Sequence, residues 1–212
     1  MDTLQAITEN LKKGQAAKVK ELTQAALDEG ISPDDVLDNG LIAGMTVVGK
    51  LFKENEVFLP EVMMSAKAMD AGMSVLEPLL LKSGKHESKG KVALGTVQGD
   101  VHSIGKNLVG IVLKGAGFEV TDLGVNTPTQ KFVDAAQNGA QIIGMSALLT
   151  TTMQHMQPVI DALEKAGLKG RVKTMIGGCI VTQEYADSIG ADGYAPDAGS
   201  AVDKAKELMG LA

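Results

Sequence analysis

The second half of the sequence repeats one pattern: a short run rich in Val and Ile, a loop that contains glycine, and a stretch with helical spacing of apolar residues. This alternation is typical of a parallel sheet whose two faces are covered by helices. It predicts strands at Lys91–Val97, Phe118–Leu123, Gln141–Ala147, Arg171–Ile176 and Gly193–Ala195. Residues 91–212 are therefore expected to form a doubly wound, Rossmann-like α/β domain with five strands in the order 2-1-3-4-5.

Helices are predicted after each of these strands. They are expected at about residues 104–114, from Pro128 with Thr127 as its cap, and at about residues 153–165, 183–189 and 199–209. In an open sheet of this kind the ligand lies beyond the carboxyl ends of the strands, near the point where the strand order reverses. The loops after the first, third and fourth strands are therefore the first places to look for a site.

Residues 1–82 follow a different pattern, with almost no strand signal and apolar residues at helical spacing. Gly14 and Gly30 end the first two predicted helices, and Ser32-Pro33 has the residue types of a helix start. A fourth helix, rich in methionine, is expected from about residue 59 to residue 80. The region is predicted to be an all-α four-helix bundle, joined to the second domain by a polar linker at residues 83–90.

Composition excludes several classes of function. A net charge of -6 with only 3% aromatic residues argues against nucleic-acid binding, which needs cationic surfaces and stacking platforms. No apolar run reaches the roughly 18 residues that a membrane span needs, and the start lacks the pattern of an export signal, so we expect a cytoplasmic protein. The one cysteine, Cys179, is expected to be a small buried residue after a strand.

The loop after the first strand has the sequence Gly-Asp-Val-His-Ser-Ile-Gly at residues 99–105. It matches neither a dinucleotide fingerprint nor a phosphate loop. Instead, Asp100 stands two residues before His102. Imidazole is a good ligand for a transition metal, and a carboxylate at its other ring nitrogen fixes its tautomer and raises its basicity. The loop alone leaves two possibilities open, a metal ligand or a hydrogen bond that only holds the loop.

The number of other ligands favours a macrocycle over a bare metal ion. A metal held by protein alone usually needs two or three further ligands, and His86 and His155 are the other two histidines of the chain. One histidine suffices when a tetrapyrrole-like cofactor supplies the remaining ligands. After the third strand stand Ser146 and Leu148, and after the fourth stand Gly177-Gly178, where a hydroxyl and bare backbone leave room for a bulky polar group.

These three motifs, DxHxxG at residues 100–105, SxL at residues 146–148 and the glycine pair, together resemble the cobalamin-binding module of methionine synthase and the corrinoid methyltransferase proteins. Residues 1–82 resemble the four-helix cap that accompanies this module, so the resemblance covers nearly the whole chain. It implies that cobalamin binds base-off and histidine-on, with His102 as the axial ligand of cobalt. The implied cofactor-binding residues are Asp100, Val101, His102, Ser103, Ile104, Gly105, Ser146, Leu148, Thr150, Gly177 and Gly178.

The resemblance also implies roles for these residues. Asp100 and Ser146 would continue a hydrogen-bond chain from His102, and the glycine pair with Thr150 would line a channel for the nucleotide tail. The family chemistry requires the histidine to leave cobalt and return as a methyl group is accepted and donated, so His102 would act as a switch. The methionine-rich fourth helix would shield the upper face of methylcobalamin.

The implied function is that of a methyl carrier, not catalytic alone. A substrate-specific methyltransferase would supply the methyl group from a methylamine, quaternary amine, methanol or methoxy-aromatic donor. A second methyltransferase would pass it to tetrahydrofolate or coenzyme M, and a reductive activase would be a further partner. The alternatives are the cobalamin subunit of an adenosylcobalamin-dependent mutase, which the four-helix region argues against, and a cobalamin-dependent regulator, for which residues 1–82 contain no DNA-reading element.

Overall fold

The computed structural model describes residues 2–83 and 88–211. The chain divides into two compact units. The first comprises Met1–Glu87 with Gly115–Gly117, and the second comprises Ser88–Lys114 and Phe118–Ala212. Residues 84–87 of the predicted linker, including His86, lie outside the described residues.

The first unit is helical, as predicted. Its helices are α1 (Thr3–Lys12), α2 (Ala16–Asp28), α3 (residues 33–53) and α4 (Leu59–Ser83). Helix α3 contains a π-helical segment, Val36–Ile42, between the α-helical segments Pro33–Asp35 and Ala43–Lys53. Ser32 caps α3, because its hydroxyl oxygen accepts a hydrogen bond from the Asp35 amide at 3.1 Å and Pro33 occupies the first helical position. The local sequence signal at Ser32-Pro33 therefore marks the start of this helix.

Close packing within the helical unit requires glycine at one position of α4. A Cβ atom at Gly72 in α4 would lie 2.8 Å from Leu41 Cδ2 and 3.2 Å from the Thr23 hydroxyl oxygen, so only glycine allows α4 to approach at this point. The core of the unit consists of fully buried apolar side chains, among them Ile7, Leu11, Val19, Leu41 and Leu76. Of the methionines in α4, Met69 is buried, whereas Met63 and Met64 are exposed.

The second unit has the predicted sheet. Five parallel strands lie in the order β2-β1-β3-β4-β5. The strands are β1 (Lys91–Val97), β2 (Glu119–Thr127), β3 (Ile142–Ser146), β4 (Lys173–Gly177) and β5 (Gly193–Ala195). The helices are α5 (Ile104–Gly115), α6 (Thr129–Gln137), α7 (Thr150–Met153), α8 (Met156–Lys165), α9 (Gln183–Ile189) and α10 (Ala198–Leu208). The fold class predicted from the sequence is confirmed.

Strand β2 is longer than the sequence predicts. It does not end at Leu123 but continues to Thr127, with two register shifts against β1. Gly124 at φ 88° and Asn126 at φ 47° look like loop residues in the sequence, yet here they form irregularities within a strand that goes on pairing. Thr127 is therefore the last strand residue, and Pro128 takes the cap position of α6.

The helix after β3 also differs from its prediction. It is interrupted, because a short turn, α7, precedes α8 instead of one helix starting at Met153. Leu149 accepts hydrogen bonds from the amides of Thr152 and Met153, which closes this turn at the end of β3. No helix among the described residues is long and apolar enough to cross a membrane.

Candidate cofactor site

The loop that carries the histidine leaves the end of β1 and enters α5. Residues 98–103 have no helix or strand, and the His102 side chain is 47% exposed. Because β1 lies between β2 and β3, this loop stands at the point where the strand order reverses. The structure thus places His102 at the position in this fold that holds ligands.

Asp100 is the buried centre of a hydrogen-bond cluster. Its Oδ1 accepts from the His102 amide at 3.0 Å and contacts His102 Nδ1 at 2.7 Å. Its Oδ2 accepts from the Leu148 amide at 2.8 Å and from the Thr152 hydroxyl at 2.6 Å. The carboxyl group is 0% exposed, and all of its contacts come from hydrogen-bond donors. Asp100 therefore joins the loops after β1 and β3.

These contacts determine the charge of Asp100. Burial alone would raise the pKa of the carboxyl group, but the hydrogen bonds from Leu148, Thr152 and His102 hold it well below its ordinary value of 3.8. Asp100 is consequently an ionised acceptor at neutral pH, and His102 Nδ1 must be the donor in their contact. The lone pair of the neutral imidazole then lies on Nε2, and the described residues offer Nε2 no hydrogen-bond partner. One ring nitrogen is fixed, and the other is free to bind a metal.

Thr152 is the part of this cluster that the sequence analysis missed. Its side chain is 6% exposed, and its hydroxyl takes the place by Asp100 that was predicted for Ser146. Ser146 ends β3 in register with Thr96 and Gly177, and no side-chain hydrogen bond of Ser146 is found within the described part of the chain. A run of three threonines at residues 150–152 was the available signal, but only the short helix α7 determines which of them faces Asp100.

The surroundings of His102 suit a large, mostly apolar ring. Val101 and Ile104 are 69% and 72% exposed, and Leu149 is 45% exposed, although all three follow strand ends. A Cβ atom at Gly105 would meet nothing within 4 Å, so open space lies beside the histidine loop. Exposed apolar side chains around a free imidazole nitrogen fit a flat macrocycle that brings its own remaining metal ligands.

The glycine pair at the end of β4 has a reason within the protein. A Cβ atom at Gly178, where φ is 130°, would lie 1.9 Å from the Ala147 carbonyl oxygen, and one at Gly177 would lie 2.8 Å from the Ala195 carbonyl oxygen. The backbones after β3 and β4 therefore approach to a distance that only glycine permits. That these glycines also line a channel for the nucleotide tail stays a prediction.

The other predicted residues lie in the same region. Ser103 precedes α5 and is half-buried, Leu148 is half-buried after β3, and Thr150 is exposed at the start of α7. The prediction for Cys179 is wrong, because this residue is exposed in the loop after Gly178 and not buried. His155 is half-buried at the start of α8. Over residues 2–83 and 88–211, no group of three or more His, Cys, Asp or Glu side chains could hold a metal ion.

Comparison with protein families finds two matches. Residues 90–203 match a family described as B12 binding domain. Residues 3–77 match a second family with the same description, B12 binding domain. Together these matches cover both the Rossmann-like unit and the helices of the first unit.

Relatives of known name resemble the chain over nearly its whole length. A corrinoid protein of Desulfitobacterium hafniense strain Y51 is 45% identical, with 99% of each chain covered. Dimethylamine corrinoid protein 2 of Methanosarcina mazei is 44% identical, with 99% of this chain and 100% of the relative covered. Among solved structures, the methanol:cobalamin methyltransferase complex of Methanosarcina barkeri has a chain with a TM-score of 0.88 and 33% identity, covering 99% of this chain and 80% of that one.

Proposed function

The chain belongs to the family of corrinoid proteins with B12-binding domains, and from this membership we propose that it carries methyl groups on the cobalt of a bound cobalamin. The single observation that carries the proposal is the pairing of His102 Nδ1 with the buried Asp100 carboxylate, which leaves Nε2 free beside exposed apolar residues. When bound, the cobalt supplies a centre that accepts a methyl group from one partner and gives it to another.

The residues of this chain would hold and tune that cofactor. His102 Nε2 would bind the cobalt, and Asp100 fixes the orientation of the imidazole ring through Nδ1. Because Asp100 remains ionised, its carboxylate would hold the proton of His102 on Nδ1 and leave Nε2 for the metal. Val101 and Ile104 would lie against the ring, and Ser146, Leu148, Thr150, Gly177 and Gly178 would line the tail.

The chain itself is proposed to be a carrier and not a complete enzyme. Its two units are a helical bundle and a Rossmann-like sheet, and neither offers a barrel to activate a methyl donor. A substrate-specific methyltransferase is the first proposed partner. The corrinoid relatives named for dimethylamine and the methanol:cobalamin complex favour a methylamine or methanol donor. A corrinoid-to-tetrahydrofolate or corrinoid-to-coenzyme M methyltransferase and a reductive activase complete the proposed system.

The mutase alternative is not proposed. The helical residues 3–77 match a B12-binding family of their own, and the relatives of known name are corrinoid proteins. The role of the methionine-rich helix α4 as a shield for the methyl group stays a prediction. Its exposed methionines, Met63 and Met64, are the first residues to test for that role.

Substitution of His102 tests cofactor binding. We expect His102→Ala to weaken the binding of cobalamin and to abolish the absorption spectrum of the base-off, histidine-on form. His155→Ala is the matched control, because His155 is a half-buried histidine at the start of α8 and not on the loop after β1. If the His102 variant kept the wild-type spectrum and affinity, the assignment of the cobalt ligand would be wrong.

Methyl transfer tests the carrier function itself. The protein is loaded with cobalamin, reduced to cobalt(I), and mixed with candidate methyltransferases and a panel of methylamines, methanol, quaternary amines and methoxy-aromatics. Appearance of the methylcobalamin spectrum with one donor and its methyltransferase supports the proposal. Failure of every pair, with a cofactor that binds in the histidine-on form, would contradict methyl carriage without contradicting cobalamin binding.

A further inference from the structure

The backbone of the histidine loop is held from a second side that the Asp100 cluster does not use. Residues 98–103 have no regular structure, so specific hydrogen bonds must set the position of His102. Two of these hydrogen bonds are accepted by the Asp100 carboxylate, from the amide and from Nδ1 of His102. Three others come from residues of β1 and β2 that belong to none of the motifs.

Thr96 holds the carbonyl group of His102. Its hydroxyl donates to the His102 carbonyl oxygen at 2.8 Å, and the side chain is 0% exposed. Thr96 lies in β1, an inner strand of the sheet, and pairs with Ser146 of β3, so its backbone is held within the sheet. The main-chain carbonyl group of His102 is thus tied to a buried residue of an inner strand.

Asn126 holds the backbone of Gly99 and Asp100, two residues of the loop that carries His102. Its side-chain oxygen accepts from the Gly99 amide at 2.8 Å, and its own amide donates to the Asp100 carbonyl at 2.7 Å. Both contacts require the bulged end of β2, where Asn126 adopts φ 47°. Asparagine tolerates this left-handed conformation better than most residues, and its amide group supplies the acceptor as well.

We propose that Thr96 and Asn126 are positioning residues for the cobalt ligand, acting on the backbone of the His102 loop while Asp100 orients the ring. The inference rests on the proposed binding of cobalamin through His102. The imidazole can bind cobalt only when its direction and the distance of its Cα atom from the corrin ring are both suitable. Asp100 fixes the direction of the imidazole, and Thr96 and Asn126 fix the position of the backbone that carries it. Coordination therefore weakens when the contact of either Thr96 or Asn126 is removed.

The experiment is a double-mutant cycle on cobalamin affinity with the full chain. Thr96→Val keeps the shape of the side chain and removes the hydroxyl, whereas Thr96→Ser keeps the hydroxyl. We expect Thr96→Val to weaken cobalamin binding about tenfold in the wild-type background, since a buried carbonyl loses its donor, and Thr96→Ser to restore most of the affinity. In the His102→Ala background the same valine substitution should change the affinity little, because the ligand is already gone.

Asn126 gives an independent cycle at an exposed position. Asn126→Gly keeps the left-handed backbone and removes only the side-chain acceptor, and Asn126→Asp keeps an acceptor oxygen. We expect the glycine variant to bind cobalamin about fivefold more weakly, and only when His102 is present. This cycle decides the inference if the Thr96→Val chain does not fold.

A spectroscopic signature separates positioning from general stability. In the cobalt(II) form of a 15N-labelled chain, a two-line nitrogen superhyperfine splitting in the electron paramagnetic resonance spectrum reports an imidazole of the protein on cobalt, because the unlabelled base of the cofactor would give three lines. We expect the Val and Gly variants to show a reduced fraction of molecules with this splitting. Equal losses of affinity with and without His102, or a full splitting in both variants, would overturn the inference. A wild-type chain that binds no cobalamin would instead refute the proposed function.

Discussion

Removal of the Thr152 hydroxyl tests the reasoning about Asp100 most directly. The hydroxyl makes the shortest hydrogen bond to the buried carboxylate, 2.6 Å, and Thr152→Val removes it with almost no change in shape. Oδ2 would keep only the Leu148 amide as a donor. A hydrogen bond to a charged group contributes about 1.5–3 kcal/mol, so we expect the free energy of unfolding of the cofactor-free chain to fall by about 2 kcal/mol.

The assay is thermal unfolding as a function of pH. For a chain of 212 residues, about 2 kcal/mol corresponds to a decrease in Tm of roughly 4–8 °C. The pKa of Asp100 in the folded chain lies below its ordinary value of 3.8, so the carboxylate stabilises the fold above that pH and its contribution is lost as the pH falls. The valine variant has a higher folded-state pKa, so the difference between the two proteins should stay constant above about pH 4 and shrink as the pH falls through the folded-state pKa of the variant.

Thr152→Ser is the matched control, because serine keeps the hydroxyl and loses one methyl group. It should recover most of the lost stability at neutral pH. Two results would refute the reasoning: a serine variant as unstable as the valine variant, or a difference in Tm that stays constant from neutral to acid pH. Either would mean that packing of the Thr152 side chain, and not its bond to an ionised Asp100, stabilises this part of the fold.

Three further changes should have distinct outcomes. Gly178→Ala places a Cβ atom 1.9 Å from the Ala147 carbonyl oxygen and should lower Tm strongly, whereas Gly190→Ala, at a glycine that also has a positive φ but has open space around it, should lower it less. Lys106→Met removes the 2.6 Å contact with Asp122, and the pKa of Asp122 should rise toward its ordinary value in an NMR titration. Tyr185→Phe removes the hydrogen bond to the Met153 carbonyl oxygen and should cost about 1 kcal/mol in chemical denaturation.

Sequence was sufficient for the sheet because each strand has a local signal. The Val- and Ile-rich runs indicated the number of strands, and connection rules left few arrangements for their order. The contact between Asp100 and His102 also followed from spacing, since residues two apart in a tight loop can meet. These features depend on neighbouring residues, which a single sequence displays.

Contacts between distant segments could not be predicted in the same way. Thr152 reaches Asp100 across 52 positions, and the choice among three consecutive threonines depends on the turn formed by α7. Asn126 looks like a loop residue, because the bulges that keep it in β2 arise from pairing with β1. Cys179 was expected to be buried since cysteine usually is, but the loop after Gly178 turns its side chain outward.

The irregular end of β2 has a consequence for how copies of this protein meet. β2 is an edge strand, and a straight edge presents a row of free amide and carbonyl groups that a second chain can pair with. Here the register shifts near Gly124 break the even spacing of that row, and the left-handed Asn126 turns its own amide inward to Asp100. The distortion that holds the His102 loop therefore makes the β2 edge a poor template for aggregation. A variant with a straight β2 would be expected to self-associate more and to displace His102.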